Sequence, residues 1–187
     1  MEDIEKSSED DRQWYVMRVT YQREVSAKMK LDELSVENFL PMRTERRRRP
    51  NGRFCKSLIP LIHNYLFVRS NREVLDGIKA FSLPYLRYAT CVRDGRREIM
   101  IVPESQMRSF IAVVERGDSK AVFLDPASID LNEGDRVRII EGPFAGVEGT
   151  FMRLQGGRGK RVIVKIESVA AVATTEISPR FVEKIQQ

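Results

Sequence analysis

An N-terminal α+β unit followed by a C-terminal all-β unit is predicted by three patterns in the 187-residue sequence. Strand-type and helix-type apolar periodicities alternate over residues 14–115, the pattern lapses over 119–132, and from 133 onward only short strands punctuated by Gly and Pro recur. A chain of this length accommodates two small units more readily than one long core.

Trp14, Tyr15, Val16, Met17, Arg18 and Val19 are mostly aromatic or apolar and open the first unit as a strand. Over 23–36, Val25, Met29, Leu31, Leu34 and Val36 recur near helical spacing among Lys28, Lys30, Asp32 and Glu33, which predicts an amphipathic helix with those apolar residues inward. Phe39, Leu40, Pro41 and Met42 begin a second strand that runs into four consecutive arginines, 46–49, and then Pro50, Asn51 and Gly52, a turn signal. Asn64, Tyr65, Leu66, Phe67 and Val68 form a strongly apolar strand. A second helix is predicted over 72–81, capped by Asn71, with Val74, Leu75, Ile78 and Phe81 sharing one face and Pro84 beyond its end. Residues 86–92 read as a strand, 93–96 as a turn and 98–101 as a return strand. Pro103 suits the first turn of a third helix ending near 115, with Met107, Phe110, Ile111 and Val114 at helical spacing. Residues 118–132, with Asp125-Pro126 and no sustained run, are the expected linker.

In the second unit Val137 and Ile139 alternate with Arg136 and Arg138, and Gly142, Pro143 and Gly146 supply a reversal. Further strands are expected over 161–166, 169–177 and 181–185, and five short strands predict a small closed barrel, which leaves no exposed edge. The Gly-rich stretch 155–160 lacks the Walker spacing and precedes no helix, so it reads as a flexible hairpin loop.

Composition excludes several classes of function. Thirty-two Lys and Arg against 27 Asp and Glu give a net charge of +5 and a pI near 9.4, a mild lean toward polyanionic partners. Cys55 and Cys91 lie far apart and His63 is the single histidine, so neither zinc-ligand spacing nor a disulfide framework is present, and reduced thiols are expected. No nucleophile and base can be assembled around His63; no enzyme, cofactor or metal is predicted. The first dozen residues are acidic and polar where a signal peptide would be basic and then apolar, and a disordered tail is expected over 1–12. No run approaches the roughly 18 apolar residues of a membrane span, so a soluble, cytoplasmic protein is expected.

The string Gly134-Asp135-x-Val137-x-Ile139, then Gly142-Pro143-Phe144-x-Gly146-x-x-Gly149-x-Phe151, resembles a KOW motif, the loop-bearing element of an SH3-like β-barrel. With the strand, helix, strand, basic loop, strand order upstream, the chain resembles the NusG family of transcription elongation factors. The stretches 39–42, 64–68 and 101–103 are similar to the RfaH and UpxY groups of specialised antiterminators, whereas the general factor carries Pro-Gly where this sequence has His63-Asn64. The resemblance implies an NGN-type α/β sandwich over 13–117, an antiparallel sheet with flanking helices, joined by the 118–132 linker to a KOW barrel over 133–187. It further implies control of long operons for surface or capsular polysaccharide. A general NusG-type factor and a ribosome-associated KOW RNA-binding protein remain the alternatives.

The resemblance also implies partners and sites. RNA polymerase would be engaged at the clamp helices of its largest subunit by Tyr65 and Phe67, with Tyr88 and Ile101 extending the patch. On a strand Tyr65 and Phe67 share one side while Leu66 and Val68 face the other, although a one-residue shift would make them core. Arg46, Arg47, Arg48, Arg49 and Arg53 are candidates for nucleic-acid phosphates or an acidic polymerase surface, or equally a solvated hairpin tip. Arg18, Arg23, Lys28 and Lys30 are the cations available to read non-template DNA or nascent leader RNA. Thr20 stands where a lysine would be expected, so no sequence preference carries over. Phe144, an aromatic on a Gly-Pro turn and so expected to be exposed, is the candidate contact for a ribosomal protein or termination factor. RfaH is known for a C-terminal domain that refolds as a helical hairpin; the Gly, Pro and β-branched content of 142–159 predicts a permanent barrel here.

Overall fold

The computed structural model describes residues 11–48, 52–116, 122–124, 134–154, 156–166 and 169–185. It divides into two compact units, Met1–Glu104 and Ser105–Gln187. Most of the tail expected over 1–12 lies outside the described residues, as does most of the expected linker. The third helix falls on the C-terminal side of the division between units.

The first unit runs β1 (Gln13–Val19), α1 (Glu24–Glu33), β2 (Asn38–Phe39), β3 (Met42–Arg48), β4 (Phe54–Pro60), β5 (Tyr65–Ser70), α2 (Arg72–Phe81), β6 (Leu86–Tyr88), β7 (Thr90–Arg93), β8 (Arg96–Ile99) and β9 (Ile101–Val102), and is followed by α3 (Glu104–Arg116). The aromatic and β-branched β1 is its centre. It pairs antiparallel with β5 along one edge and with β6 and β9 along the other, and β2 adds to β5. Two further hairpins, β3 with β4 and β7 with β8, pair only within themselves among the described residues. The strand expected over 86–92 is therefore two strands, parted at Ala89, whose amide donates to Val16 and whose carbonyl accepts from Met100.

One face of the sheet carries Tyr15, Met17, Val19, Leu66, Val68 and Leu86, which pack with Ala27 and Leu31 of α1 and Leu75 and Ile78 of α2. Each buried Val, Leu, Ile or Met side chain among them contributes roughly 1.5–3 kcal/mol by leaving water. Helix α1 departs from its expected face. It ends at Glu33 rather than near 36 and buries Glu24, Ala27 and Leu31, spaced 3 and 4 apart, while Val25 and Met29 are 45% and 60% exposed. The reason is a polar anchor: the buried Glu24 carboxylate accepts the Asn64 amide, and Asn64, at φ 65°, in turn accepts the Val19 amide. A charged anchor rotates the helix away from the setting that apolar spacing alone predicts. Helix α2 is likewise turned, burying Leu75 and Ile78 but leaving Val74 and Phe81 exposed. Asn71 caps it as expected, its side chain accepting the Val74 amide at 2.9 Å.

In the second unit β10 (Val122–Leu124), β11 (Asp135–Ile139), β12 (Glu148–Arg153), β13 (Lys160–Ile166), β14 (Ala170–Ala173) and β15 (Val182–Lys184) form one antiparallel sheet in the order β10-β14-β13-β12-β11-β15. Six strands replace the five expected, because the apolar Val122, Phe123 and Leu124, inside the expected linker, pair with β14. Among the described residues β10 and β15 do not pair with each other, so the sheet is not closed into a barrel. Gly149 sits where β12 crosses closest to β13; a Cβ there would strike the Ile163 carbonyl. Residues 142–154 are turn and strand, with Gly142 and Gly146 at φ 88° and 87°.

Candidate binding surfaces

The four residues expected to form one docking patch are divided between the two faces of the N-terminal sheet. Paired residues share a face, so the pairings Arg18 with Tyr65, Val16 with Phe67 and Trp14 with Val102 place Tyr65 and Phe67 on one side. Met17 with Tyr88 and Tyr15 with Ile101 place Tyr88 and Ile101 on the other, the side that carries α1 and α2. Alternation along β5 is as expected, but exposure is not. Phe67 is 0% exposed, as are Leu66 and Val68, so both faces of this strand are covered and the expected exposed Phe67 is corrected to a core residue. Tyr65, at the strand's first position, is half-buried.

Tyr88 is held within the unit by a polar network. Its hydroxyl donates to Asp76 at 3.0 Å, Lys79 donates to the same oxygen at 2.9 Å, and the Lys79 ammonium lies 4.0 Å from the centre of the Tyr88 ring. Tyr15 packs against that ring at 5.5 Å. Burial first, then the Asp76 carboxylate, pushes the Tyr88 phenol well above its usual range, whereas the Lys79 hydrogen bond is foremost in holding Asp76 below the ordinary carboxylate range. These groups tie α2 to β6. They do not extend a surface patch.

The expected helical cations separate in the same way. Lys28 and Lys30 are paired along α1 with Asp32 and Glu33 at 2.9 and 2.7 Å. Arg18 and Arg23 make no ion pair among the described residues. Arg18 is exposed on β1 between Tyr65 on one neighbouring strand and the exposed Arg87 on the other. The Arg23 guanidinium lies 5.2 Å over Tyr85 and 5.7 Å over Tyr21, which is 82% exposed. Arg87, Tyr85 and Tyr21 carry no periodic signal in the sequence; the β1–β6 register places Arg87 beside Arg18, and the Arg23 guanidinium gathers Tyr85 and Tyr21.

Arg46, Arg47 and Arg48 lie on the ascending strand of a long hairpin rather than in a basic loop. Seven residue pairs join β3 to β4, from Met42 with Pro60 to Arg48 with Phe54. Thr44, Arg46, Arg48, Phe54, Lys56 and Leu58 point to one side and all are exposed. Glu45, Cys55, Ser57 and Ile59, on the other side, are half-buried. Arg53 is exposed next to the tip; Arg49 and the side chain of Arg47 lie outside the described residues. The exposed Phe54 and Leu58, absent from the expected site, join its cations on that open face.

Phe144 is also corrected. It lies in the turn between β11 and β12 yet is 2% exposed, and Val147 beside it is buried. The turn folds back on itself through Ala145 to Gly142 and Val147 to Phe144 amide–carbonyl bonds, and α3 meets it where the Ser109 hydroxyl accepts the Glu148 amide at 3.0 Å. An aromatic at a Gly-Pro turn is exposed only when nothing packs over the turn.

Among the described residues no group of three or more His, Cys, Asp or Glu side chains is placed to hold a metal ion, and no helix is long and apolar enough to cross a membrane. Comparison with curated proteins gives no match. The profile of a family described as transcription termination factor nusG matches residues 12–111, from just before β1 into α3 and over more than half of the chain. The α+β architecture is consistent with that family's N-terminal domain. The chain belongs to the NusG family of transcription elongation and antitermination factors, which are not enzymes and which bind RNA polymerase.

Proposed function

We propose that this chain is a specialised antiterminator of the RfaH and UpxY type, which docks its N-terminal unit on the clamp helices of RNA polymerase and suppresses pausing and termination in long surface or capsular polysaccharide operons. The observation that carries the reading is β5, which begins with the half-buried Tyr65 and has Arg18 and Arg87 exposed in register beside it. An amphipathic ring flanked by cations suits a protein interface with an acidic rim. Phe67 supports that end of the strand from within the core, and Tyr88 and Ile101 act from the helix-bearing side by fixing the sheet.

Docking across the clamp would hold the enzyme closed on its template, while the β3–β4 hairpin carries Arg46, Arg48 and Arg53 toward nucleic acid in the transcription bubble. The C-terminal sheet is the KOW module in this reading, related to an SH3-like barrel although β10 and β15 do not pair among the described residues, and it recruits a ribosomal protein or a termination factor. With Phe144 covered, that contact requires the turn to open or uses another part of the sheet.

The test is read-through in a purified transcription assay with the source organism's polymerase, on its own operon leader and on an unrelated leader, comparing wild type with Tyr65→Ala. Leader-dependent read-through that Tyr65→Ala reduces is the expected result. Equal stimulation on both leaders would replace this reading with a general NusG-type factor. No effect on either, together with tight binding of free ribosomal RNA, would replace it with a ribosome-associated protein.

A further inference from the structure

We infer that the open face of the β3–β4 hairpin is a stacking site for the bases of single-stranded nucleic acid, with Phe54 as its platform. This rests on the nucleic-acid part of the proposed function and deepens it from phosphate contact to base contact. The pairing register puts Arg46, Arg48, Phe54, Lys56 and Leu58 on one side of a hairpin that, among the described residues, pairs with no other strand. Phe54 and Leu58 are 64% and 65% exposed, an unusual position for two large apolar side chains on a strand that is half-buried on its other side.

The Arg46 guanidinium lies 5.3 Å from the centre of the Phe54 ring, diagonally across the strands, and so fixes the ring's orientation while leaving most of it open. A base stacked there would lie within the reach of Arg48, directly opposite Phe54, and of Lys56, two residues along the same side. That is the combination which binds unpaired strands: an aromatic surface accepts any base, and cations track the phosphates. Duplex bases are stacked on one another and cannot reach the ring. A protein partner would match the apolar pair but gain nothing from so many cations unless it were acidic, whereas an unpaired nucleic-acid strand supplies both features.

The two contributions separate experimentally. Binding of labelled 12-nucleotide single-stranded DNA, the same sequence as RNA, and its DNA duplex is measured by fluorescence anisotropy with the full chain over a range of salt. Phe54→Ala should weaken binding of a single strand about tenfold, as expected for removing one stacked base, with the salt slope unchanged. Phe54→Trp should restore or exceed wild-type affinity, which a merely misfolded hairpin would not do. Arg46→Ser with Arg48→Ser should instead flatten the slope by roughly 0.7 for each phosphate that is no longer neutralised. Whichever of DNA or RNA shows the Phe54 effect identifies the strand that is bound. Unchanged affinity in Phe54→Ala, or an equal weakening on duplex, would overturn base stacking. No polymerase is present, so this result is independent of the read-through assay.

Discussion

Strands β4 and β5 are neighbours in sequence and both carry large apolar side chains, yet they end in opposite environments. In Tyr65–Ser70 the central residues Leu66, Phe67 and Val68 are all buried, because β1 and β2 flank the strand and both faces of the sheet are covered. In Phe54–Pro60 the residues Phe54, Lys56 and Leu58 are exposed, because among the described residues the hairpin pairs only with itself and leaves that side uncovered. Alternation therefore tells which residues share a side of a strand. It does not tell which side is open, since openness depends on elements far away in the chain. The docking patch inferred from β5 is accordingly reduced to Tyr65, and the free aromatic surface lies on β4.

Substitutions on the two strands should separate most sharply in stability. Phe67→Ala should cost about 3–5 kcal/mol in denaturant unfolding, the range for emptying a buried aromatic site, while Phe54→Ala should change stability by no more than about 0.5 kcal/mol. Equal effects would mean that the hairpin face is not open. The C-terminal sheet supplies a second contrast, between a crossing that needs glycine and turns that merely favour it. Gly149→Ala should destabilise by roughly 1–3 kcal/mol, because the added methyl meets the Ile163 carbonyl, and a measurable drop in β11–β12 amide protection should accompany it.

A smaller effect is expected where a single hydrogen bond closes a helix. Asn71→Ala should cost about 1 kcal/mol by leaving the Val74 amide without its cap, and Asn71→Asp should retain most of it. The Asp76–Lys79–Tyr88 network adds a pH signature of fixed sign. Asp76 is held below the ordinary carboxylate range, so its contribution is complete above about pH 4 and is lost as pH falls through the folded value. Tyr88 is raised, so its contribution holds below about pH 10 and declines as pH rises toward the folded value. Asp76→Asn should flatten the acid limb of the stability profile and weaken the alkaline limb with it, because the carboxylate is one cause of the raised Tyr88 phenol, whereas Tyr88→Phe should remove the alkaline limb and leave most of the acid limb, which the Lys79 hydrogen bond leads.

Much of the architecture was legible in the sequence because it is written in local periodicity and turn chemistry. The strand at Trp14, the Asn71 cap, the helix beginning after Pro103 and the Gly-rich turns of the second sheet all follow from residues within a few positions of one another. What was not legible depends on long-range contacts. The rotation of α1 is set by Glu24 reaching Asn64, 40 positions away, and an apolar-spacing argument has no place for a buried carboxylate. Val122, Phe123 and Leu124 look like part of a linker until β14 offers them a partner. Phe144 looks exposed until the turn folds over it and α3 meets the turn. The candidate site shows the same division. The arginine run announced a basic surface, but only the β3–β4 register shows that Phe54 and Leu58 belong to it, and only the β1 pairings bring Arg18, Arg87 and Tyr65 together.

We propose that this chain meets an elongation complex through the Tyr65 end of its sheet and the open hairpin. Hydrogen exchange of the full chain, free and bound to a purified elongation complex, tests it most directly. Added protection over 42–60 and around 63–66, with little change in 148–166, is the predicted result. Protection confined to the C-terminal sheet, with the hairpin and Tyr65 exchanging as in the free protein, would contradict it.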